Sequence, residues 1–481
     1  MSHEQLVTLI VFIPVAGAFV LPVANLVSTR LRNILALLLV SASFALSLML
    51  LPFIMGGGTV TVQYAVPLGL DYVLVADQLA IFMAMVSSFI GAVIVLYSFG
   101  YISHYPNQNE YYVMVVLFIG SMMGIVFAGN LILMFVFWEI TAITSWRLIG
   151  FYRDRPIVLK ADKSFLVTVF GALVMLLGFI MLWADAGTFD LAGIREYLQQ
   201  KPVRDIIVVL ILFGILSKSA TLPMHTWLPD AGVAPSPVTA LLHAAVLVKI
   251  GVYVYARLFC ATFHVSEVWN TAVPVIAGAS AIIAACAALI DKDLKRIIAY
   301  STISQIGFIF LGLASGSPIG VAGALLYILM HGLAKAGLFL CAGIVEQNAH
   351  EKDITKLGGL YRTMPVTAVA FLLCSFSVMG IPPFGGFFSK YMVIAGTVNG
   401  GQLMIAGFFI AGAVLTLLYL FRVFALVFMG EARGAAAPEK SPVMVFCVAL
   451  LAILSLAGGL LIKYPGSLVD STVQQMAGWV K

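Results

Sequence analysis

The chain has 481 residues, 62% of them hydrophobic and only 10% charged. Typical soluble domains carry about 25% charged residues, so this composition excludes a soluble globular chain, and a net charge of +5 points to no nucleic-acid partner. Apolar stretches of about 17–25 residues recur along the whole length, each long enough to span a bilayer, and an all-α integral membrane protein is expected.

About fourteen spans are predicted, over residues 5–25, 33–54, 77–101, 111–128, 130–150, 164–184, 205–222, 238–260, 270–290, 297–315, 319–345, 364–396, 403–428 and 441–463. No cleavable signal peptide is expected, because the first apolar run follows an acidic residue and lacks a basic leader. The longest polar stretch, 185–205, reads as a short loop with room for an amphipathic turn. Span seven runs into a proline-rich segment, 222–237. Span twelve is interrupted by Ile381-Pro382-Pro383-Phe384-Gly385-Gly386. Proline removes a backbone donor and clashes with the preceding turn. A broken helix survives in a membrane only where protein or a water-filled cavity covers the freed groups. Both breaks lie beside a lysine, Lys218 and Lys390, an arrangement that transporters use at ion sites; the alternative is a packing kink. After span fourteen no long amphipathic extension is expected.

Basic residues orient the chain. The loops holding Arg30 and Arg32, Arg153 to Lys163, Lys292 to Arg296, Lys352 to Arg362, and Arg433 to Lys440 alternate onto one side and carry about fourteen of the 26 Lys and Arg. The opposite loops and tails carry about six. The positive-inside rule then puts both termini outside, on the periplasmic or exterior face of a cell membrane.

Charge at membrane depth is expensive and marks function. Lys218, Lys249, Lys335, Lys390 and Glu139 all fall inside apolar spans, a pattern expected of a path for protons or small cations. Glu139, in Phe137-Trp138-Glu139-Ile140, must be protonated or paired with a cation from another helix, and Lys218 is the candidate partner. A static pair is a poor source of stability, whereas one that opens and closes couples proton movement to charge. His243 and Lys249 are six residues apart and not squarely on one helix face. His331 and Lys335 are four apart and share a face. Histidine titrates near neutrality, so these groups and intervening water form a candidate relay, set against the reading of satisfied core histidines. Snorkelling to an interface is the alternative for the lysines; it is weakest for Lys249 and Lys335 and strongest for Lys390. His225 reads as a proton entry point or a structural residue. Arg147, two turns beyond Glu139, reads as an interfacial residue or a second partner of Glu139. The five cysteines, Cys260, Cys286, Cys341, Cys374 and Cys447, are scattered singly. They suggest small core residues rather than a metal, haem or cluster site. No metal and no cofactor are expected, and any redox chemistry must happen in a partner.

Several stretches together resemble the antiporter-like subunits shared by respiratory complex I, energy-converting membrane hydrogenases and multi-subunit cation/proton antiporters. They are Phe137-Trp138-Glu139 with Leu148-Ile149-Gly150-Phe151; Lys218-Ser219-Ala220 with Pro223, His225 and Trp227-Leu228-Pro229-Asp230-Ala231; Ala234-Pro235-Ser236-Pro237-Val238 with Leu242-His243-Ala244-Ala245 and Val248-Lys249; Asp293-Leu294-Lys295-Arg296 with Ala299-Tyr300-Ser301-Thr302-Ile303-Ser304-Gln305; and Gly380-Ile381-Pro382-Pro383 with Gly385-Gly386-Phe387. The resemblance implies fourteen helices containing two inverted five-helix repeats, each with a broken helix. Laid on the predicted spans, it divides the chain into an N-terminal three-helix segment (1–110), two repeats (111–262 and 263–430) and a C-terminal helix and tail (431–481). It also implies roles: Glu139 as the helix-five glutamate, Lys218 as the pumping lysine, Lys249, His243, His331 and Lys335 as the central axis, and Lys390 as the exit residue. The sequence departs from the family pattern at Arg147, where an apolar residue is expected, and at Ala172, where some complex I members carry an acid. The stretch around Lys163 to Gly171 looks closer to the antiporter and hydrogenase branches. The implied function is a proton-translocating, non-redox subunit working with other membrane subunits of a redox-driven complex. The alternatives are a sodium/proton antiporter subunit, the membrane half of a bicarbonate-uptake machine, and an inert scaffold. A sodium site needs several oxygen ligands, and Glu139 is the only clear mid-span carboxylate.

Overall fold

The computed structural model describes residues 1–65, 71–199, 201–434 and 436–480. Helix α1 (His3–Ala18) opens with a capping box, Ser2 and Gln5 each accepting from the other's backbone amide. That satisfies two of the donors a helix start leaves open. After a 53° bend comes α2 (Leu21–Val27), and α3 (Thr29–Met55) starts at a Ser28 cap. Two antiparallel strands follow, β1 (Val60–Tyr64) and β2 (Tyr72–Ala76), with Val60 opposite Ala76. They amend the all-α expectation. Alternating, β-branched side chains favour a pleated surface, and Val60 and Val62 are buried by it.

The helices α4 (Gln78–Tyr101), α5 (Gln108–Phe127), α6 (Leu131–Ile149) and α7 (Arg155–Ala186) come next. Asp77 and Asn130 cap the starts of α4 and α6. The amphipathic turn expected within 185–205 is α8 (Leu191–Leu198), which buries Leu191, Ile194 and Leu198. Then come α9 (Asp205–Lys218), a single turn α10 (Trp227–Asp230), α11 (Ser236–Ala240) and α12 (Leu247–Tyr255). A π-helical turn, Leu241–Ala245, joins α11 to α12. The second half contains α13 (Trp269–Ile290), α14 (Leu294–Leu313), α15 (Pro318–Ala349), α16 (Pro365–Met379), α17 (Gly385–Asn399), α18 (Leu403–Val427) and α19 (Pro442–Leu460). The final helix, α20 (Lys463–Val480), lies against α4 and α15. It buries Val469, Thr472, Val473 and Met476, so an amphipathic helix does follow α19.

Among the described residues, eleven helices are long and apolar enough to cross a membrane, or twelve with the bent α1–α2 pair. The shorter α9, α16 and α17 flank the two predicted breaks. At the first, Trp227 Nε1 donates to the Ser217 carbonyl at 2.9 Å. At the second, Gly380 ends α16 in the left-handed conformation (φ 80°), a backbone shape that glycine adopts without penalty. A Cβ on Gly386 would lie 1.8 Å from the Ser377 carbonyl oxygen, so only glycine lets α17 start this close to the end of α16.

Contacts between connections sort them into two faces. On one, Arg32 reaches Gln108, Tyr105 meets Tyr152, Asp230 joins α7 to α14, and Glu439 caps α16. This face carries the basic loops. On the other, the strands meet the α5–α6 turn, residue 203 bonds residue 264, and Gln475 accepts from the Gln78 amide. The core is centred on α15, which packs on α4, α11, α14, α16, α17 and α19. Cys341, Cys374 and Cys447 are buried in it. Cys260 is half-buried and Cys286 is exposed, so Cys286 is not a core residue. It shares the outward face of α13 with Ile283 and Ile290.

Candidate functional site

Three residues on one face of α15 organise the site: Tyr327, His331 and Lys335, each four after the last. Lys249, at the start of α12, places Nζ 2.5 Å from His331 Nδ1 and donates to the His243 carbonyl at 3.3 Å. The His243 ring therefore does not face Lys249 directly; the backbone of the π-helical turn does. Such turns break the regular ladder and often mark functional positions. The His243 ring packs on Phe339, with centroids 4.5 Å apart, and neither ring nitrogen has a partner among the described residues. His331 Nε2 has none either. A buried imidazole without partners is costly, and buried water commonly satisfies such groups.

Lys335 donates to Ser301 Oγ at 2.5 Å and to the Ile298 carbonyl at 3.2 Å. Ser301 hydrogen-bonds the Tyr419 hydroxyl at 2.7 Å. Gln305, one turn further on α14, donates to Thr416 Oγ1 and accepts from the Tyr327 hydroxyl at 2.6 Å. The Tyr327 ring lies 5.7 Å from that of His331. Lys390 completes the set, over the rings of Phe308 and Tyr327 at 4.6 Å and 5.7 Å, with Nζ 2.7 Å from the Val378 carbonyl. A cation on the last carbonyls of α16 is favoured by the helix dipole. Lys390 is 4% exposed, and Lys218, Lys249 and Lys335 are 0% exposed; none snorkels. The acceptors around Lys249, Lys335 and Lys390 are all neutral. A chain of lysine, imidazole, hydroxyl and amide groups thus runs through the protein from Lys249 to Lys390, and such groups pass protons when water fills the gaps.

Glu139 and Lys218 do not form the expected contact pair. Lys218 donates to the Trp138 carbonyl at 3.2 Å and sits 5.3 Å from the Trp138 ring centre. Glu139 Oε1 has no hydrogen-bond partner among the described residues, and Lys218 acts on the carboxylate through space. Glu139 shares an outward face of α6 with Val136 and Ile143, which are 47% and 49% exposed. The backbone carbonyl next door competes for the lysine, which leaves the pair open.

The basic face is tied by charge. Arg147 pairs with Glu110, which also holds Arg153. Arg147 does not serve Glu139, which corrects one reading; it stands part-exposed in the last turn of α6, as an interfacial residue would, with Glu110 as its partner. Lys163 and Arg296 both hold Asp230, at 2.7 Å and 3.0 Å. Burial pushes the Asp230 carboxyl up, but the two cations outweigh it and hold it below the usual range. His225 is half-buried, with Nδ1 unpartnered. Sequence reasoning gave no role to Tyr327, Thr416 or Tyr419. Ser301 and Gln305 stood in a quoted motif, four residues apart on the α14 face toward α15. A second buried pair, Arg257 with Asp77, lies toward the opposite face.

With this geometry in place the relatives are decisive. The family described as "NADH:quinone oxidoreductase/Mrp antiporter, TM" matches residues 128–416, well over half of the chain. The chain belongs to this family. Residues 64–112 also match "NADH-Ubiquinone oxidoreductase (complex I), chain 5 N-terminus". The Na(+)/H(+) antiporter subunit A1 of Staphylococcus aureus is 32% identical over 464 residues. That alignment takes in 90% of this chain but 57% of the antiporter subunit, so the chain spans little more than half the length of this relative. Among solved structures, the Mrp complex from Dietzia sp. superposes with a TM-score of 0.91 at 23% identity, covering 100% of this chain and 98% of that one. A chain of the archaeal membrane-bound sulfane sulfur reductase gives 0.90 at 24%, covering 99% of each. Respiratory complex I from Thermus thermophilus gives 0.86 at 22%, covering 99% and 100%. These likenesses establish the fold: a multi-pass, mostly helical chain folded like subunits of those membrane complexes.

Proposed function

We propose that the chain translocates protons through the Lys249–His331–Tyr327–Gln305–Tyr419–Ser301–Lys335 network, with Lys390 at its end, as one subunit of a larger membrane complex. The observation that carries this reading is the chain of buried, neutral-partnered lysines and histidines on three helices. A scaffold has no use for groups so costly to bury. Glu139 and Lys218 form the switch: closing the open pair draws the lysine charge toward Glu139 and away from the axis, and opening it releases that charge. The alternation of connections between two faces supports fourteen crossings, with the basic face in the cytoplasm. The two lysine-flanked breaks support repeats over 111–262 and 263–430. In proteoliposomes of the intact complex, Lys249→Ala is expected to abolish proton movement without loss of assembly; unchanged movement would remove the reading.

The driving reaction lies outside the chain. The sequence resemblance pointed to a redox-driven parent complex. The 32% identity to a subunit named as a sodium/proton antiporter favours exchange against sodium as a second reading. Proton movement that stops when sodium is omitted would support exchange; proton movement that needs an electron donor would support the redox reading.

A further inference from the structure

On the basic face a cavity of about 520 Å³ opens between the turns after α4 and α6 and the end of α15. His104, Tyr105, Tyr152 and His350 line it, with Glu346 and Tyr101, and Tyr101 is 1% exposed at its closed end. Glu346 holds Lys295 at 2.8 Å and Lys352 at 3.3 Å. The Ser236 hydroxyl, fully buried, donates to Glu346 at 3.5 Å.

Three helix faces continue inward from that point. Tyr97 lies one turn below Tyr101 on α4, and its hydroxyl donates to the Leu340 carbonyl at 2.9 Å. On α15, Glu346, Gly343 and Phe339 follow at helical spacing, and on the third face Ser236 leads through Ala240 to His243. A Cβ on Gly343 would lie 2.6 Å from Ser236 Cβ and 2.7 Å from the Tyr97 hydroxyl, so only glycine lets the three helices pack closely enough to bring these two hydroxyls together. At the far end sits the His243 ring with both nitrogens unpartnered. The span is about two helical turns, on the order of 10 Å, within reach of a short water chain.

We infer that this cavity is the site where protons from the basic face are loaded onto His243 and passed to Lys249. The inference rests on the proton-conducting reading above. Glu346 takes one proton from cavity water or from the imidazoles at the rim. Ser236 accepts that proton and releases its own, water and the tyrosine hydroxyls carry it past Gly343, and a free His243 nitrogen receives it. Glu346 returns to the carboxylate held by its two lysines, and no electrons move. The competing role for Glu346 is that of a staple between α14 and α15.

The test is proton uptake by the intact complex in proteoliposomes, with Glu346→Gln, Tyr97→Phe and Lys249→Ala side by side. Glu346→Gln is expected to slow uptake by about a hundredfold, the low end for a positioned proton-transfer group. Imidazole supplied to the basic face, and not to the opposite face, should restore it. Tyr97→Phe should slow uptake by a smaller factor, with only the small fall in melting temperature that losing the bond to Leu340 brings. Wild-type uptake by both variants beside a dead Lys249→Ala would overturn the loading site and leave the proton reading standing. A Glu346→Gln loss that imidazole does not restore, with Tyr97→Phe normal, would reduce Glu346 to a staple and also overturn it. Normal uptake by Lys249→Ala would take down both readings, a result distinct from the others.

Discussion

At Tyr327 the hydroxyl donates to Gln305 while the ring lies between His331 and Lys390. Tyr327→Phe keeps the ring and removes only the link to α14, so transport should fall by about a hundredfold. The Gln305 oxygen is then left without its donor, at a cost of about 1–3 kcal/mol, read as a lower melting temperature. Trp227→Phe removes the shorter of two donors to the Ser217 carbonyl, which keeps the Ala220 amide at 3.3 Å, and should destabilise by about 0.5–1.5 kcal/mol without changing the axis. The Asp230 clamp has a pH signature. A carboxyl held below its ordinary range stabilises the fold above that range and loses this contribution as pH falls through the lowered value. The melting temperature of the native protein should therefore exceed that of Asp230→Asn at neutral pH, and the difference should vanish on acidification. The charged axis residues were legible in the sequence because charge inside an apolar run stands out. Tyr327, Thr416 and Tyr419 were not, because a hydroxyl in such a run looks like any core side chain. The open Glu139–Lys218 pair was illegible for another reason: the winning acceptor is a backbone carbonyl, which every residue has.

At the level of elements, both breaks were visible as proline-rich interruptions beside a lysine, and each is closed by a specific device. The second depends on glycine. Gly386→Ala would bring a Cβ to 1.8 Å from the Ser377 oxygen, pushing α17 away from α16 and Lys390 away from the Val378 carbonyl. The expected result is a lower melting temperature together with slower proton movement; wild-type values for both would show that α17 has room the structure does not record. The spans were readable because long apolar runs are unmistakable. The strands were missed because five residues of alternating pattern are a weak signal beside them. The π-helical turn leaves no compositional mark at all. The bend between α1 and α2 and the helix α20 were likewise not foreseen, since neither interrupts nor prolongs an apolar run.

For the whole molecule, the two faces define an orientation that labelling can read. Cysteine introduced at Ser2 should react with an impermeant reagent added outside the cell, and cysteine at Lys440 only after the cytoplasmic face is opened; the reverse pattern would invert the proposed topology. The exposed apolar face around Glu139, with Val136 and Ile143, is where a neighbouring membrane subunit would bear on the proposed switch. The central claim is that a continuous hydrated path joins His243, Lys249 and Lys335 through the middle of the protein. A density map of the intact complex that resolves ordered water tests it most directly. Water is predicted against both His243 nitrogens and His331 Nε2, continuing to Lys335 and Lys390. Dry apolar packing between these groups, too thick for a water chain to cross, would contradict the account.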